Sequence, residues 1–292
     1  MKIQTFSILV GGSACNAQCP ICISKTTVPI KPMPPGKINI RNFEIACRLA
    51  RQSGCTTVML TGKGEPTLYP SDIQFYMRSM ATHCDFPFIE LQTNGLLLQD
   101  EDFQDELKIW YEWGLTTVAI SIVHWANNKN NIFYCPDRSY PKIGITIDML
   151  HDIGLSVRLN CTLLKGYIDN AGALATLVNM ARVGGVEQLT IRNANYPHST
   201  PFNKHGAEVL SYIHKNRLSD IEMAAIKTWL YEKGDKLFEE EYGPNIFDLG
   251  GQNVYLTDCM TEDKDLDEIR NLIFHPDGHL YYRWDYEGAK LL

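Results

Sequence analysis

The chain has 292 residues, 45% of them apolar and 21% charged, enough for one large domain with a sizeable core and too apolar for a disordered chain. No run approaches the roughly 18 apolar residues of a membrane helix, and a net charge of −7 argues against a nucleic-acid-coating protein. The opening MKIQTFSILVGG has no basic leader and no small-residue cleavage site, so Ile3–Val10 reads as a first strand and the protein as cytoplasmic. A proline-rich link (IKPMPPGK) leads to a helix over Asn39–Gln52. Strand Thr56–Thr61 precedes helix Ser71–Thr82, and strand Pro87–Gln92 precedes helix Asp102–Trp113, closed by Gly114. Strand Thr116–Val123 is followed by a long loop, Trp125–Tyr140, and by helix Lys142–Ile153, closed by Gly154. Strand Ser156–Leu164, helix Ala171–Val183 with its Gly184-Gly185 stop, and strand Glu187–Arg192 complete six strands alternating with helices.

Such alternation, with no two-residue hairpin between these strands, predicts a parallel sheet with helices outside. Six units in about 190 residues predict an α/β fold, a partial (βα)6 TIM-like barrel. After residue 195 the pattern changes. His205–Asn216 and Ser219–Lys233 read as helices, the second with a capping box from Ser219 and Glu222. Asn271–Tyr282 reads as a hairpin about Asp277-Gly278. The expected division is a barrel over 1–195 and a small C-terminal α+β extension over 196–292 that covers it. The segment 235–292 holds 5 Lys+Arg against 14 Asp+Glu, so the negative charge belongs to that extension.

Nine cysteines without a signal peptide do not suggest a disulfide framework. Six are scattered, and a scattered cysteine is by default a small buried hydrophobe, as Cys47 on its helix face illustrates. Three fall within eight residues, in Cys15-Asn-Ala-Gln-Cys19-Pro-Ile-Cys22. Thiolates so close on one loop can converge on a metal centre. A closed zinc site wants four ligands, and no fourth follows at finger spacing. A four-iron cluster held by three thiolates leaves one iron open.

Cys15-x3-Cys19-x2-Cys22, just after an N-terminal strand, resembles the signature of radical S-adenosylmethionine (SAM) enzymes. The resemblance covers residues 1 to about 195. It implies a [4Fe-4S] cluster on Cys15, Cys19 and Cys22, and SAM chelating the fourth iron. Reductive cleavage of SAM then yields a 5′-deoxyadenosyl radical. It also implies roles for the loops at the strand ends. Gly62-Lys63-Gly64-Glu65-Pro66 resembles the family's GGEP loop, with Lys63 in place of the first glycine. Thr93-Asn94-Gly95 resembles its TNG motif. Ser121 after strand four, Asn160 and Arg158 on the polar face of strand five, and Arg192 on strand six are the implied further SAM contacts. Ile21 stands where the family usually carries an aromatic residue near adenine.

On the substrate side the candidates are His124, beside Ser121, as a proton donor, and Cys135, as a hydrogen-atom donor, with Tyr134 and Arg138 near them in the long loop. In style the chain resembles the molybdenum-cofactor and peptide-modifying branch. It lacks the C-terminal cysteine run of members with auxiliary clusters, since only Cys259 lies there. The acidic extension disfavours a polyphosphate or nucleic-acid substrate. The expected function is an oxidoreductase- or lyase-type radical SAM reaction on a small molecule or peptide, with an electron donor such as flavodoxin or ferredoxin. The alternatives are a glycyl-radical activating enzyme with a protein partner, and a non-catalytic iron–sulfur or zinc-binding protein.

Overall fold

Each of the first six strands is apolar on one face and polar on the other, and that asymmetry decides how the sheet is covered. The computed structural model describes residues 3–26, 38–135, 137, 139–195, 204–239, 245–258, 269–283 and 288–292. The strands β1 (Thr5–Leu9), β2 (Thr57–Thr61), β3 (Phe88–Thr93), β4 (Thr117–Ile122), β5 (Ser156–Leu163) and β6 (Gln188–Asn193) lie side by side in chain order. Between them run α1 (Ile40–Gln52), α2 (Pro70–His83), α3 (Glu101–Glu112), α4 (Asn127–Tyr134), α5 (Ile143–Ile153) and α6 (Ala171–Val183). One strand face, carrying Ile8, Leu60, Leu91, Ile120, Leu159 and Ile191, is buried. Fully burying each such side chain contributes about 1.5–3 kcal/mol. The other face carries Ser7, Gln92, Ser121, Asn160 and Arg192, and these are half-buried. A polar inner wall leaves room for ligand where a filled barrel would be apolar.

The C-terminal segment extends this sheet at both edges. After α7 (Lys204–Asn216) and α8 (Asp220–Lys233) come β7 (Asp235–Glu239), β8 (Asn245–Asp248) and β9 (Asn253–Asp258). β9 pairs in parallel with β6, and β8 and β7 follow it antiparallel. At the opposite edge β10 (Asn271–Phe274) pairs in parallel with β1, and β11 (Leu280–Tyr281) closes the expected hairpin. Among the described residues the sheet has eleven strands in the order β11-β10-β1-β2-β3-β4-β5-β6-β9-β8-β7, and its two ends do not pair, so the barrel is partial. The capping box of Ser219 and Glu222 starts α8 as the sequence predicts. The loop expected over Trp125–Tyr140 instead holds α4, and β7 to β9 carry no sequence expectation.

The N-terminal mouth of the barrel is closed by charge pairing. Glu90 on β3 is 3% exposed. Arg158 Nη1 lies 2.9 Å from its carboxylate, and Arg158 Nε donates to Gln188 Oε1 at 2.8 Å. The surrounding cavity of about 440 Å³ is lined by the first residues of the strands, among them Thr57, Phe88, Thr117, Ser156 and Gln188. Glu90 is buried, while Arg158 stays 31% exposed and Gln92 Nε2 also donates to Glu90 at 3.0 Å, so the pair is only half-buried. Arg158→Met is therefore expected to lower the unfolding free energy by about 1–2 kcal/mol, read by urea denaturation. The double variant Arg158→Met/Glu90→Met is expected to recover most of that loss, because a packed apolar pair replaces the ion pair.

Candidate functional site

Two backbone segments meet at the C-terminal ends of β1 and β2. Val10 donates its amide to the Thr61 carbonyl at 2.7 Å, and β1 then runs into the cysteine loop. Gly11 turns with φ +65, and a Cβ there would lie 2.2 Å from the Tyr69 ring, so the position requires glycine twice over. The Gly64 amide donates to the Gly12 carbonyl at 3.1 Å, and the Glu65 amide to the Ala14 carbonyl at 3.0 Å. A Cβ on Gly64 would lie 2.0 Å from the Ala14 oxygen. Backbone oxygen cannot step aside as a side-chain tip can. Gly64→Ala is expected to keep its far-ultraviolet circular dichroism but to lose most of its iron on anaerobic reconstitution, measured as iron per chain.

Glu65 ties β2 to β3. It is 3% exposed. Its Oε1 accepts from the Thr67 amide at 3.1 Å, the Thr67 hydroxyl at 2.8 Å and the Thr93 hydroxyl at 2.6 Å, and its Oε2 accepts from the Asn94 amide at 2.9 Å. Burial pushes this carboxyl's pKa up, and the four donors pull against it. Four donors at an acceptor-only group are what an ionised carboxylate accommodates. Asn94 then reaches back to the cysteine loop. Its Nδ2 donates to Asn16 Oδ1 at 2.7 Å and approaches Cys15 Sγ at 3.8 Å, and its Oδ1 accepts from the Leu96 amide.

Tyr140 and Tyr134 brace the far side of this loop. The Tyr140 hydroxyl donates to the carbonyls of Asn94 at 2.9 Å and Ser121 at 3.1 Å, joining β3 to β4. Its ring stacks on Tyr134, whose carbonyl accepts from the Gln18 amide at 2.7 Å. Gln18 Nε2 also donates to Asp137 at 3.1 Å. Sequence reasoning placed Tyr134 near the mouth and missed Tyr140, Gln18 and the bracing role of Glu65. Arg138 and Cys259 lie outside the described residues.

Cys15 is exposed, while Cys19 and Cys22 are half-buried, and all three are free thiols. The Ala17 amide donates to Cys15 Sγ at 3.4 Å. Burial raises the Cys19 thiol pKa, and the charges of Cys22 and Cys15 add to that, so the three groups feel one another. Among the described residues no three His, Cys, Asp or Glu side chains converge tightly enough for a single metal ion. Three free thiols on one loop, with Cys22 and Cys15 bearing electrostatically on Cys19, are the donor set that three corners of a four-iron cluster take, so the chemistry of the residues present fits a cluster.

The remaining candidates divide by height in the barrel. Thr93 is buried on Glu65, and Pro66 is buried at the start of a short 3-10 turn, Pro66–Leu68. Gly62 is half-buried, with room for a Cβ only at 3.1 Å from the Val10 carbonyl. Ile21 is half-buried against the core. Ser121 and Asn160 are register partners on neighbouring strands, facing inward. Arg192 pairs in register with Thr162, and its Nε is buried with no hydrogen-bond partner among the described residues. Arg158 does not join them. It shares the inward face but stands at the N-terminal mouth, held by Glu90 and Gln188, and this corrects the expectation of a SAM contact.

His124 sits just past β4. Its Nδ1 accepts from the Ala126 amide at 2.8 Å, and burial, with Lys129, lowers its pKa. It is then a neutral ring engaged in a local turn. Cys135 is 3% exposed at the end of α4.

Comparison with known proteins agrees with this geometry. Residues 9–177, more than half of the chain, match the radical SAM superfamily. No curated protein sequence matches significantly. Among solved structures, Streptococcus suis SuiB bound to S-adenosylmethionine aligns with a TM-score of 0.62 at 13% identity, over 99% of this chain and 63% of that one. The anSMEcpe structure with bound AdoMet aligns with a TM-score of 0.64 at 15% identity, over 99% of this chain and 77% of that one. A radical SAM methyltransferase from Sphaerobacter thermophilus aligns with a TM-score of 0.53 at 17% identity, over 77% of this chain and 63% of that one. At these identities the likeness is one of fold, and the chain spans about 63% of the length of the SuiB chain. The α/β fold with its unclosed parallel sheet is that of the radical SAM partial barrels. The sequence match and the shared fold together place this chain in the radical SAM superfamily.

Proposed function

We propose that the chain is a radical SAM enzyme that removes a hydrogen atom from a peptide or small-molecule substrate held in the barrel interior. The observation that carries this reading is the joint between the cysteine loop and the Gly62–Pro66 loop, made by the Gly64 and Glu65 amides and fastened to β3 by the Glu65 carboxylate. Cys15, Cys19 and Cys22 would hold a [4Fe-4S] cluster, and Gly62, Lys63, Gly64, Glu65, Pro66, Thr93, Asn94, Ser121, Asn160, Arg192 and Ile21 would surround SAM. When bound, the reduced cluster supplies the electron that cleaves SAM to methionine and a 5′-deoxyadenosyl radical.

The chain's own groups supply placement. Small residues at Gly62 and Gly64 let backbone approach a ligand closely. The guanidinium of Arg192, whose buried Nε has no hydrogen-bond partner among the described residues, suits a ligand carboxylate. The polar inner wall of Ser121, Asn160 and Thr190 gives hydrogen-bonding partners beyond it. A peptide substrate is supported by the fold neighbours, which include SuiB bound to precursor peptide SuiA and anSMEcpe with a bound peptide. The test is anaerobic reconstitution with iron and sulfide, followed by dithionite and SAM. Formation of 5′-deoxyadenosine and methionine is the expected result. A loaded brown protein that leaves SAM intact would defeat the proposal.

A further inference from the structure

The packing of α1 against the end of α2 brings two thiols together. Glu44, Cys47 and Arg51 lie on one face of α1, at the i, i+3 and i+7 positions. They meet His83, Cys84 and Phe86 in the same order. Glu44 Oε1 is 3.7 Å from His83 Nε2, and the Arg51 guanidinium lies over the Phe86 ring at 5.6 Å from its centroid. Between these two contacts the Cys47 S–H donates a hydrogen bond to the Cys84 sulfur. Cys84 ends α2, its amide donating to the Met80 carbonyl at 2.8 Å. It precedes β3, so it stands at the opposite end of the strands from the cysteine loop.

Glu44, His83 and the two cysteines share this corner, but among the described residues no three such side chains converge on a metal ion. What remains is thiol chemistry, and both thiols are free. They are unequal. Cys47 is 0% exposed and Cys84 8%, so an agent from solvent meets Cys84 first. The hydrogen bond from Cys47 lowers the Cys84 thiol pKa; burial and the charge of Glu44 oppose this, and the charges of Arg48 and Arg51 reinforce it. The same bond raises the Cys47 pKa, and burial and the charges of Cys84 and Glu44 add to it, so Cys47 keeps its proton. A low-pKa thiol is the nucleophile of such a pair, and a thiol beside it is placed to resolve the first oxidation product. Cys55 and Cys161 lack this arrangement, and burial pushes both of their pKa values up.

We propose that Cys84 and Cys47 form an oxidative modification site for hydrogen peroxide, in which Cys84 is oxidised first and Cys47 then closes a disulfide between α1 and α2. The Cys84 sulfur attacks one peroxide oxygen, the O–O bond breaks, and a sulfenic acid and one water result. The Cys47 sulfur attacks the sulfenic sulfur, the S–O bond breaks, and the Cys47 proton leaves with the hydroxyl as a second water. Two thiols and one peroxide thus give one disulfide and two waters, the thiols losing the two electrons that the peroxide takes up. Sulfurs already in hydrogen-bond contact have only a short approach to the S–S length of about 2 Å.

The experiment treats the reconstituted protein, under anaerobic conditions, with one equivalent of hydrogen peroxide. Remaining thiols are blocked with N-ethylmaleimide and the protein is mapped by mass spectrometry without reduction. A Cys47–Cys84 linked peptide is expected, reversed by dithiothreitol, with Cys84 oxidised about tenfold or more faster than Cys55 or Cys161. Cys47→Ser is expected to stop at the Cys84 sulfenic acid, trapped as its dimedone adduct, and Cys47→Ala repeats the test should the buried hydroxyl unfold the protein. Cys84→Ser is expected to leave Cys47 unoxidised. Absence of the linked peptide, a disulfide joining either residue to another cysteine, Cys84 oxidation no faster than that of Cys55 and Cys161, or a dimedone adduct on Cys47 in Cys84→Ser would overturn the site.

Discussion

Replacing Cys15, Cys19 or Cys22 by alanine is expected to abolish SAM cleavage and to remove the visible absorption and bound iron of the reconstituted protein. Each thiolate would hold a different corner of the cluster, so losing one leaves an iron without its protein ligand. The local fold should survive each change, because Cys15 is exposed and Cys19 and Cys22 are half-buried. The contrast is with the scattered thiols. Cys47, Cys55, Cys84, Cys135 and Cys161 are buried. Burial pushes the Cys161 thiol up to about 12, which leaves it protonated and inert. Cys161→Ala is expected to keep its iron and cost about 1 kcal/mol of stability through the small void it leaves. Iron per chain, measured after reconstitution and desalting, separates the two groups. A Cys15→Ala protein that retains four irons and cleaves SAM would remove the cluster from this loop.

The βα core was readable because local signals and tertiary demands agree. Asn39 caps α1 by accepting from the Asn42 amide, so the helix begins at Ile40, one residue inside the expected Asn39–Gln52. Gly154 ends α5 with φ 101, the left-handed stop that glycine supplies. What was not readable is non-local or locally weak. β9 pairs with β6 across about 60 residues of chain, and no local pattern announces that contact. β7 is exposed along its whole length, so it carries no alternation. α4 reads NNKNNIFY, and asparagine is a poor helix former. It is held by tertiary bonds instead, with buried Asn130 accepting from the Val123 amide and donating to the His124 carbonyl. Arg158 shows the limit of period-two reasoning: alternation gives the face a residue points to and not its height along the strand, and height decides whether it meets a cofactor or the opposite mouth. The site's loops announced themselves through cysteine spacing and glycine. Glu65 could be seen as a motif residue but not as a joint, because its partners lie on another strand 28 and 29 residues away.

That joint gives the second large expected effect. Glu65→Gln is nearly isosteric and keeps an oxygen where Oε1 accepts from Thr67 and Thr93. At the Oε2 position it places an amide N–H₂ against the Asn94 N–H, two donors facing each other at 2.9 Å in a buried site. An unsatisfied buried donor costs about 1–3 kcal/mol, and losing the charge on the remaining acceptor weakens three more bonds, so the variant is expected to lose about 2–4 kcal/mol of unfolding free energy. Glu65→Ala strands all four donors and should lose at least as much. The functional loss should exceed what unfolding explains. If Asn94 moves away from the new amide, its side chain leaves Asn16 and Cys15, and the cysteine loop loses its tether to β3. The expected readout is a fall in iron content and SAM affinity under conditions where circular dichroism still shows folded protein. Thr67→Val separates the two contributions, since it removes one hydroxyl donor from Oε1 and leaves the Asn94 bond intact. It should cost about 1 kcal/mol and keep its iron. If Glu65→Gln matched Thr67→Val in iron content and SAM affinity, the carboxylate would be a local turn cap, and the tether between β2, β3 and the cysteine loop would have to rest on the Gly64 and Glu65 backbone amides alone.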